Sequence, residues 1–192
     1  MLKCHGDFPQ KLYRVFECFE YAESFRNGLF RFGNILYYKS LTDLKRRDDS
    51  EGDGRVITNG ISHNSSFCST SFFLLSFHRS LEAALNNSKM GNYIIEINNC
   101  FKIAEGITNK LNEKPENYFG GIEGVNIEYT FGEESDDRLN HIQLAKLTYS
   151  QKPESFKNEN EYRFVITKKY TQENFIYIDI DTLFDDIQYV SI

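Results

Sequence analysis

Three short groups of side chains in this sequence have types and an order that could do chemistry. "NENEYRFVI" (158–166) sets Glu159 and Glu161 directly ahead of an apolar run that reads as a strand. Glutamates are poor strand formers, so two carboxylates at the entrance to a core segment ask for partners elsewhere in the chain. "LYR" (12–14) places Arg14 in a segment whose aromatic and β-branched residues predict the first strand. "STS" (69–71) puts Ser69, Thr70 and Ser71 ahead of Phe72 and Phe73 in an extended stretch. A carboxylate can accept a proton or face a developing positive charge. A guanidinium fork matches phosphate oxygens, and hydroxyls can orient either group.

The elements that must position these groups alternate irregularly. "KLYRVFEC" (11–18) predicts a strand, and "EYAESFRNG" (20–28) a helix ending at a cap on Asn27-Gly28. "LFRFGNILYY" (29–38) predicts two short strands around a Gly33-Asn34 turn. "SLTD" (40–43) reads as a short capped start and "DDSEGDG" (48–54) as a polar loop. "SFCSTSFFLLSFH" (66–78) is extended and leads into a helix in "RSLEAALNN" (79–87). "NYIIEI" (92–97) predicts a strand and "FKIAEGITNKLNEK" (101–114) an amphipathic helix, with further strands in "GVNIEYTF", "EYRFVI" and "FIYIDI". This pattern suits an α+β domain better than a doubly wound parallel sheet. No G-x-G-x-x-G follows the first strand, which argues against a Rossmann dinucleotide unit.

Composition narrows the function classes. At 192 residues, with 40% hydrophobic and 26% charged, the chain falls within the range of one globular domain with a real core. The 17 Phe and 12 Tyr tilt its propensities toward strands. No apolar run approaches a membrane span, and "MLKCHGDFPQ" lacks the apolar segment of a secretory signal. The expectation is a cytoplasmic protein with no membrane partner. Cys4, Cys18, Cys68 and Cys100 form no C-x-x-C pair and, with four scattered histidines, no metal spacing. Reduced, mostly buried thiols and no metal are expected. The net charge of −6 sets the whole-molecule field against nucleic acid. Asp49, Glu51, Asp53 and Gly54 mimic the start of a calcium loop, but Gly60 stands where its bidentate glutamate is required. His78 and Arg79, in "SFHRS" (76–80), read as a cap at a strand–helix junction, and "GGIEG" (120–124) as a glycine-rich turn without a phosphate-loop lysine.

The order of strand arginine, S-T-S and E-x-E resembles the mono-ADP-ribosyltransferase superfamily, in its arginine–serine–glutamate, cholera-toxin-like class. The resemblance runs from Leu12 to Ile166 and rests on those three motifs. It implies an ADP-ribosyltransferase-like split β-sandwich, two small sheets with flanking helices around an NAD cleft, over residues 1–192. It implies that Glu161 faces the positive charge that builds on the ribose as nicotinamide leaves. Glu159 would orient or deprotonate the acceptor, and Arg14 would hold the NAD diphosphate. Ser69 would hold Glu161 or the nicotinamide ribose, Thr70 and Ser71 would support the strand, and Phe72 or Phe73 would stack on the nicotinamide ring. "TYSQKPESFKN" (148–158) falls where the family carries its acceptor-recognition loop, with Tyr149 and Phe156 as its aromatic residues. NAD enters as a substrate, and no metal is required.

The activity so implied is transfer of ADP-ribose from NAD to a macromolecule, either a protein arginine or a nucleic-acid base. Glutamate at position 159 and the net charge favour a protein, while a basic strip of Lys146, Lys152, Lys157 and Lys168 could line the acceptor side and draw in RNA or DNA. The implied setting is an intracellular bacterial toxin of toxin–antitoxin or phage-defence type, with an antitoxin protein as a partner. Two alternatives stand beside it: an NAD glycohydrolase, with water as acceptor, and a catalytically silent nucleotide-binding or regulatory module of the same fold. Each group also has a structural alternative. Arg14 could be an edge-strand arginine with its head in water, "STS" a polar strand face, and the glutamates a gatekeeping charge.

Overall fold

The computed structural model describes residues 1–40, 52–58, 60–66, 71–87, 90–130, 139–169, 171–180 and 185–190. The chain runs β1 (Leu12–Phe16), α1 (Phe19–Arg26), β2 (Leu29–Asn34), α2 (Ile35–Lys39), β3 (Asp53–Thr58), β4 (Ile61–Ser66), β5 (Phe72–His78), α3 (Leu81–Asn86), β6 (Tyr93–Ile97), α4 (Cys100–Leu111), β7 (Tyr118–Asn126), α5 (His141–Ser150), β8 (Glu161–Lys168), β9 (Phe175–Asp179) and β10 (Ile187–Tyr189). It is an α+β structure with an eight-stranded sheet and a separate hairpin of β3 and β4.

β5 organises the large sheet. Along one edge it pairs antiparallel with β8 over its whole length, from Phe72↔Thr167 to His78↔Glu161, and β7 continues beyond β8. Two strands share its other edge. β2 takes the Phe73–Leu74 end through Asn34 and Gly33, and β1 takes the far end through Tyr13↔His78. From there β1 continues into β6 and β10, and β2 into β9. The two limbs therefore part beside Leu75, Ser76 and Phe77, and the sheet is split there.

Strand alternation sorts the side chains onto two faces. Phe73, Leu75 and Phe77 of β5 and Tyr162, Phe164 and Ile166 of β8 join Ile103, Ala104, Ile107 and Leu111 of α4 in the main core. Leu74 and Val165 face the other way, against Ile35 and Tyr149. Burying a large apolar side chain stabilises by roughly 1.5–3 kcal/mol, so a one-residue slip of β5 would forfeit several such terms at once. α4 forms because its buried positions recur every three to four residues and Asn99 caps it, accepting from the Lys102 N–H at 3.2 Å.

Several segments depart from their sequence expectation. Residues 29–38 form β2 followed by α2, not two strands around a turn. The Asn34 side chain accepts from the Leu36 N–H at 2.9 Å and so caps a helix. "GGIEG" lies inside β7, not in a turn. A Cβ on Gly121 would stand 2.0 Å from the Lys3 carbonyl oxygen, so the glycine admits the N-terminal segment against the strand. Asp53 and Gly54 belong to β3 and Gly52 turns into it with φ 78°; residues 48–51 of that expected polar loop, like residues 41–43 of "SLTD", lie outside the described residues. Asp53 instead opens a hairpin in which β3 and β4 pair antiparallel from Asp53↔Ser66 to Thr58↔Ile61, a pairing outside the sequence expectations. α5 was also missed, although Asn140 and Gln143 make a complete capping box at its start. Of the described cysteines only Cys100 is buried; Cys4 and Cys18 are half-buried.

Candidate functional site

Glu159 closes a 3-10 helix, Glu154–Glu159, and Asn160 then adopts a left-handed conformation with φ 43° and ψ 55°. Asparagine tolerates that region better than most residues. Glu161 follows as the first residue of β8. The two glutamates are thus not on one extended segment, as expected, yet the turn brings both to the same cation. Lys152 Nζ lies 2.8 Å from Oε2 of Glu159 and 2.8 Å from Oε2 of Glu161.

Arg163 completes the cluster from the same face of β8. Its Nε donates to Glu161 Oε1 at 2.6 Å, its Nη2 to Oε2 at 3.3 Å, and its Nη1 to the Tyr149 carbonyl at 3.2 Å. The Glu161 N–H donates to Tyr129 Oη at 2.8 Å. Glu161 is 5% exposed and Arg163 1%, so the pair is interior. Burial alone would raise the Glu161 pKa. The charges of Arg163 and Lys152, with their hydrogen bonds, outweigh it and hold the carboxyl well below the usual carboxylate range. Glu161 is an anion at neutral pH.

His78 stands opposite Glu161 on β5. Its Nδ1 lies 2.7 Å from the Glu159 carbonyl oxygen, which can only accept, so Nδ1 carries the proton. Nε2 then accepts from Asn87 Nδ2 at 3.4 Å. The histidine ties the 3-10 turn to β5 and fixes where Glu159 sits.

Arg14 enters the split from β1. Its Nη1 donates to the Ser76 carbonyl, and its guanidinium lies 5.4 Å from the Phe16 ring centroid, 5.8 Å from Phe77 and 6.0 Å from Phe25. Nε is buried and has no hydrogen-bond partner. Burial lowers the pKa to about 10, with Tyr38 and Glu161 counteracting and Arg31 reinforcing. The guanidinium thus sits at Ser76, on the stretch of the β5 edge that neither β1 nor β2 pairs. Arg14 is neither on an edge strand nor in open water; β1 lies between β5 and β6.

Other expected site residues are not gathered there. Ser69 and Thr70 lie outside the described residues. Ser71 and Phe72 stand at the end of β5 away from Glu161. Phe72 pairs with Thr167, and the distance along the strand to His78 is roughly 20 Å at the ordinary rise. Phe73 is fully buried in the main core, so its ring is not available for stacking on a ligand. Phe72 is half-buried, with its ring 5.0 Å from that of Tyr149. The β5 residues beside the glutamates are Ser76 and His78.

Tyr149 is not on a loop. It lies in the last turn of α5, 8% exposed, and its hydroxyl donates to Glu123 Oε2 at 2.9 Å. Burial, then the charge of Glu123, raises its pKa. Phe156 lies on the 3-10 helix with Lys152 Nζ 5.0 Å from its ring centroid, so it does border the cluster. The expected basic strip is neutralised. Lys146 pairs with Glu123 at 2.6 Å, Lys157 with Glu154 at 2.8 Å, Lys168 with Glu173, and Lys152 with the two glutamates.

Among the described residues no group of three or more His, Cys, Asp or Glu side chains could hold a metal ion, and no helix is long and apolar enough to cross a membrane. Arg163 was legible in the sequence, since a residue two positions from Glu161 on a strand shares its face. Lys152 and Tyr129 carried no signal that set them apart from other lysines and tyrosines. Comparison with known protein families, characterised proteins and solved structures returned no match.

Proposed function

We propose that the chain is an NAD-dependent ADP-ribosyltransferase built as a split β-sandwich, with NAD lying along the split between β1 and β2. The observation that carries this reading is Arg14, a charged guanidinium held in the gap beside the Ser76 carbonyl with its Nε unbonded. A buried cation with an unused donor suits a diphosphate. Glu161 supports the reading from β8, on the other edge of β5, because its partners keep it anionic at neutral pH.

In the reaction, the bond between the nicotinamide nitrogen and the ribose C1′ breaks, and its electron pair leaves with neutral nicotinamide. Glu161 faces the positive charge left on the sugar. The acceptor nucleophile bonds to C1′, and its proton passes to Glu159, the more exposed carboxylate at 29%. Both Glu161 oxygens accept hydrogen bonds from Arg163 and Lys152, so Lys152 has to shift toward Glu159 for Glu161 to meet a ribose hydroxyl. The cellular setting proposed with this chemistry is a cytoplasmic toxin, of toxin–antitoxin or phage-defence type, restrained by an antitoxin protein. Growth arrest on expression, relieved by Glu159→Gln, is its expected sign.

The occupied carboxylate of Glu161 favours one second reading, a catalytically silent nucleotide-binding module of the same architecture. Incubation with labelled NAD and cell extract separates the possibilities. Label on a macromolecule supports the transferase. Free ADP-ribose indicates a glycohydrolase, and binding without turnover the silent module. Absence of NAD binding overturns all of them.

A further inference from the structure

Beyond Arg14 and Glu161, a cleft of about 260 Å³ opens where β2 ends, lined by Asn34, Tyr37 and Ser40 on one side and Gln172, Glu173 and Asn174 on the other. The Asn34 N–H donates to the Asn174 carbonyl at 2.8 Å, so the two walls are tied at their base. We infer that this cleft takes the purine base of an adenine nucleotide, whose phosphates run from it toward Arg31 and Arg14. The inference rests on the proposed NAD reading and supplies the base end of that site.

Three features of the cleft point to a base. The volume accommodates a planar heterocycle, and the walls set one aromatic ring and the apolar Leu36 beside carboxamides, a hydroxyl and a carboxylate. Tyr37 supplies the ring, held edge-to-face by Phe175 with centroids 4.5 Å apart, so its orientation is set before a ligand arrives. Stacking on such a ring is the sequence-tolerant part of base binding. The amides of Gln172 and Asn174 are exposed and polar, and a carboxamide can both donate to and accept from the N6/N7 edge of adenine.

The register supplies the direction. Arg31 lies three positions before Asn34 on β2, about 10 Å away at the strand rise. Its guanidinium sits 4.8 Å from the Phe175 ring centroid, the ring that also braces Tyr37. Asn34 pairs with Phe73 and Glu161 with His78, so the cleft and the carboxylate mark off about 17 Å of β5, with Ser76 and the arginines between. Base cleft, arginine pair and carboxylate thus come from three strands that follow one another in register along the length of β5. That spacing suits two linked nucleotides better than one nucleoside.

The test is calorimetric titration with ADP, which carries base and diphosphate but cannot undergo the transfer, with NAD turnover measured in parallel. ADP is expected to bind the wild type, and Tyr37→Leu to weaken it about tenfold, the loss of one stacking contact. The exposed pair Gln172→Ala with Asn174→Ala is expected to weaken ADP while leaving the melting temperature unchanged, so the test survives if Tyr37→Leu fails to fold. Arg31→Gln should weaken ADP and leave adenosine unaffected. NAD turnover together with ADP affinity indifferent to every variant overturns the cleft assignment and leaves the NAD reading standing. ADP affinity that falls in the variants, with no NAD bound or consumed, overturns the NAD reading and leaves the cleft. No ADP binding by the wild type overturns the cleft whatever NAD does.

Discussion

Arg163 and Glu161 stand two residues apart on β8, with Nε of the one 2.6 Å from Oε1 of the other inside the core. Breaking an interior pair from one side is expensive because the remaining charge loses its compensation. Glu161→Gln should therefore destabilise the protein by about 3–5 kcal/mol, and Arg163→Met by a similar amount. The double variant should lose clearly less than the sum, because each change removes the partner the other has orphaned. Urea unfolding of the four proteins measures this. Strictly additive losses would mean that the two residues do not act as a unit. Glu161→Gln is consequently not a clean probe of catalysis.

The same pair sets an acid limit. Glu161 has a folded pKa held below its unfolded value, so its contribution to stability is fully present above the ordinary carboxyl range, about 4.3. It is lost as pH falls toward the folded value. The difference in melting temperature between wild type and Glu161→Gln should be constant between about pH 5 and pH 7 and shrink below about pH 4. A difference that grows on acidification would reverse the sign of the linkage.

Arg14→Ala removes the donor to the Ser76 carbonyl and the cation lying among Phe16, Phe25 and Phe77. Stability should drop by about 1–3 kcal/mol. NAD affinity should fall ten- to a hundredfold, the value of a charge-assisted contact of about 1.5–3 kcal/mol. Arg14→Lys should recover only part of that affinity, because a point charge does not reproduce the fork. Calorimetry alongside thermal melting checks both. Unchanged NAD affinity with a large fall in melting temperature makes Arg14 a structural residue.

Glu159→Gln is the variant that isolates chemistry. Lys152 keeps Glu161 as its partner, so the fold should tolerate the change. Slow NAD hydrolysis should persist while transfer to a macromolecule is mostly lost, because the proton acceptor for the incoming nucleophile is gone. Quantifying free and bound ADP-ribose in one reaction gives both rates. If both fall together, Glu159 acts on NAD itself.

Local pattern in the sequence was enough to determine most strands and helices. The apolar runs in "FFLLSFH" and "EYRFVI" marked β5 and β8, and the three-to-four spacing in α4 marked its buried face. It also determined that Glu161 and Arg163 share a face, because strand period alone makes that so. Where one motif meets another was not legible. "STS" was paired with the glutamates on order alone, whereas the register sets Glu161 against His78 and leaves Ser71 at the far end of β5. That register depends on which of Phe73, Leu75 and Phe77 enter the main core, a cooperative outcome of contacts with distant β8 and α4. The split has the same origin: β1 and β2 each satisfy part of one edge of β5, and nothing in either strand alone says that they must share it. Tertiary packing also drew Lys152 between the two carboxylates, since a buried anion requires a cation within reach and periodicity does not say which lysine will be nearest.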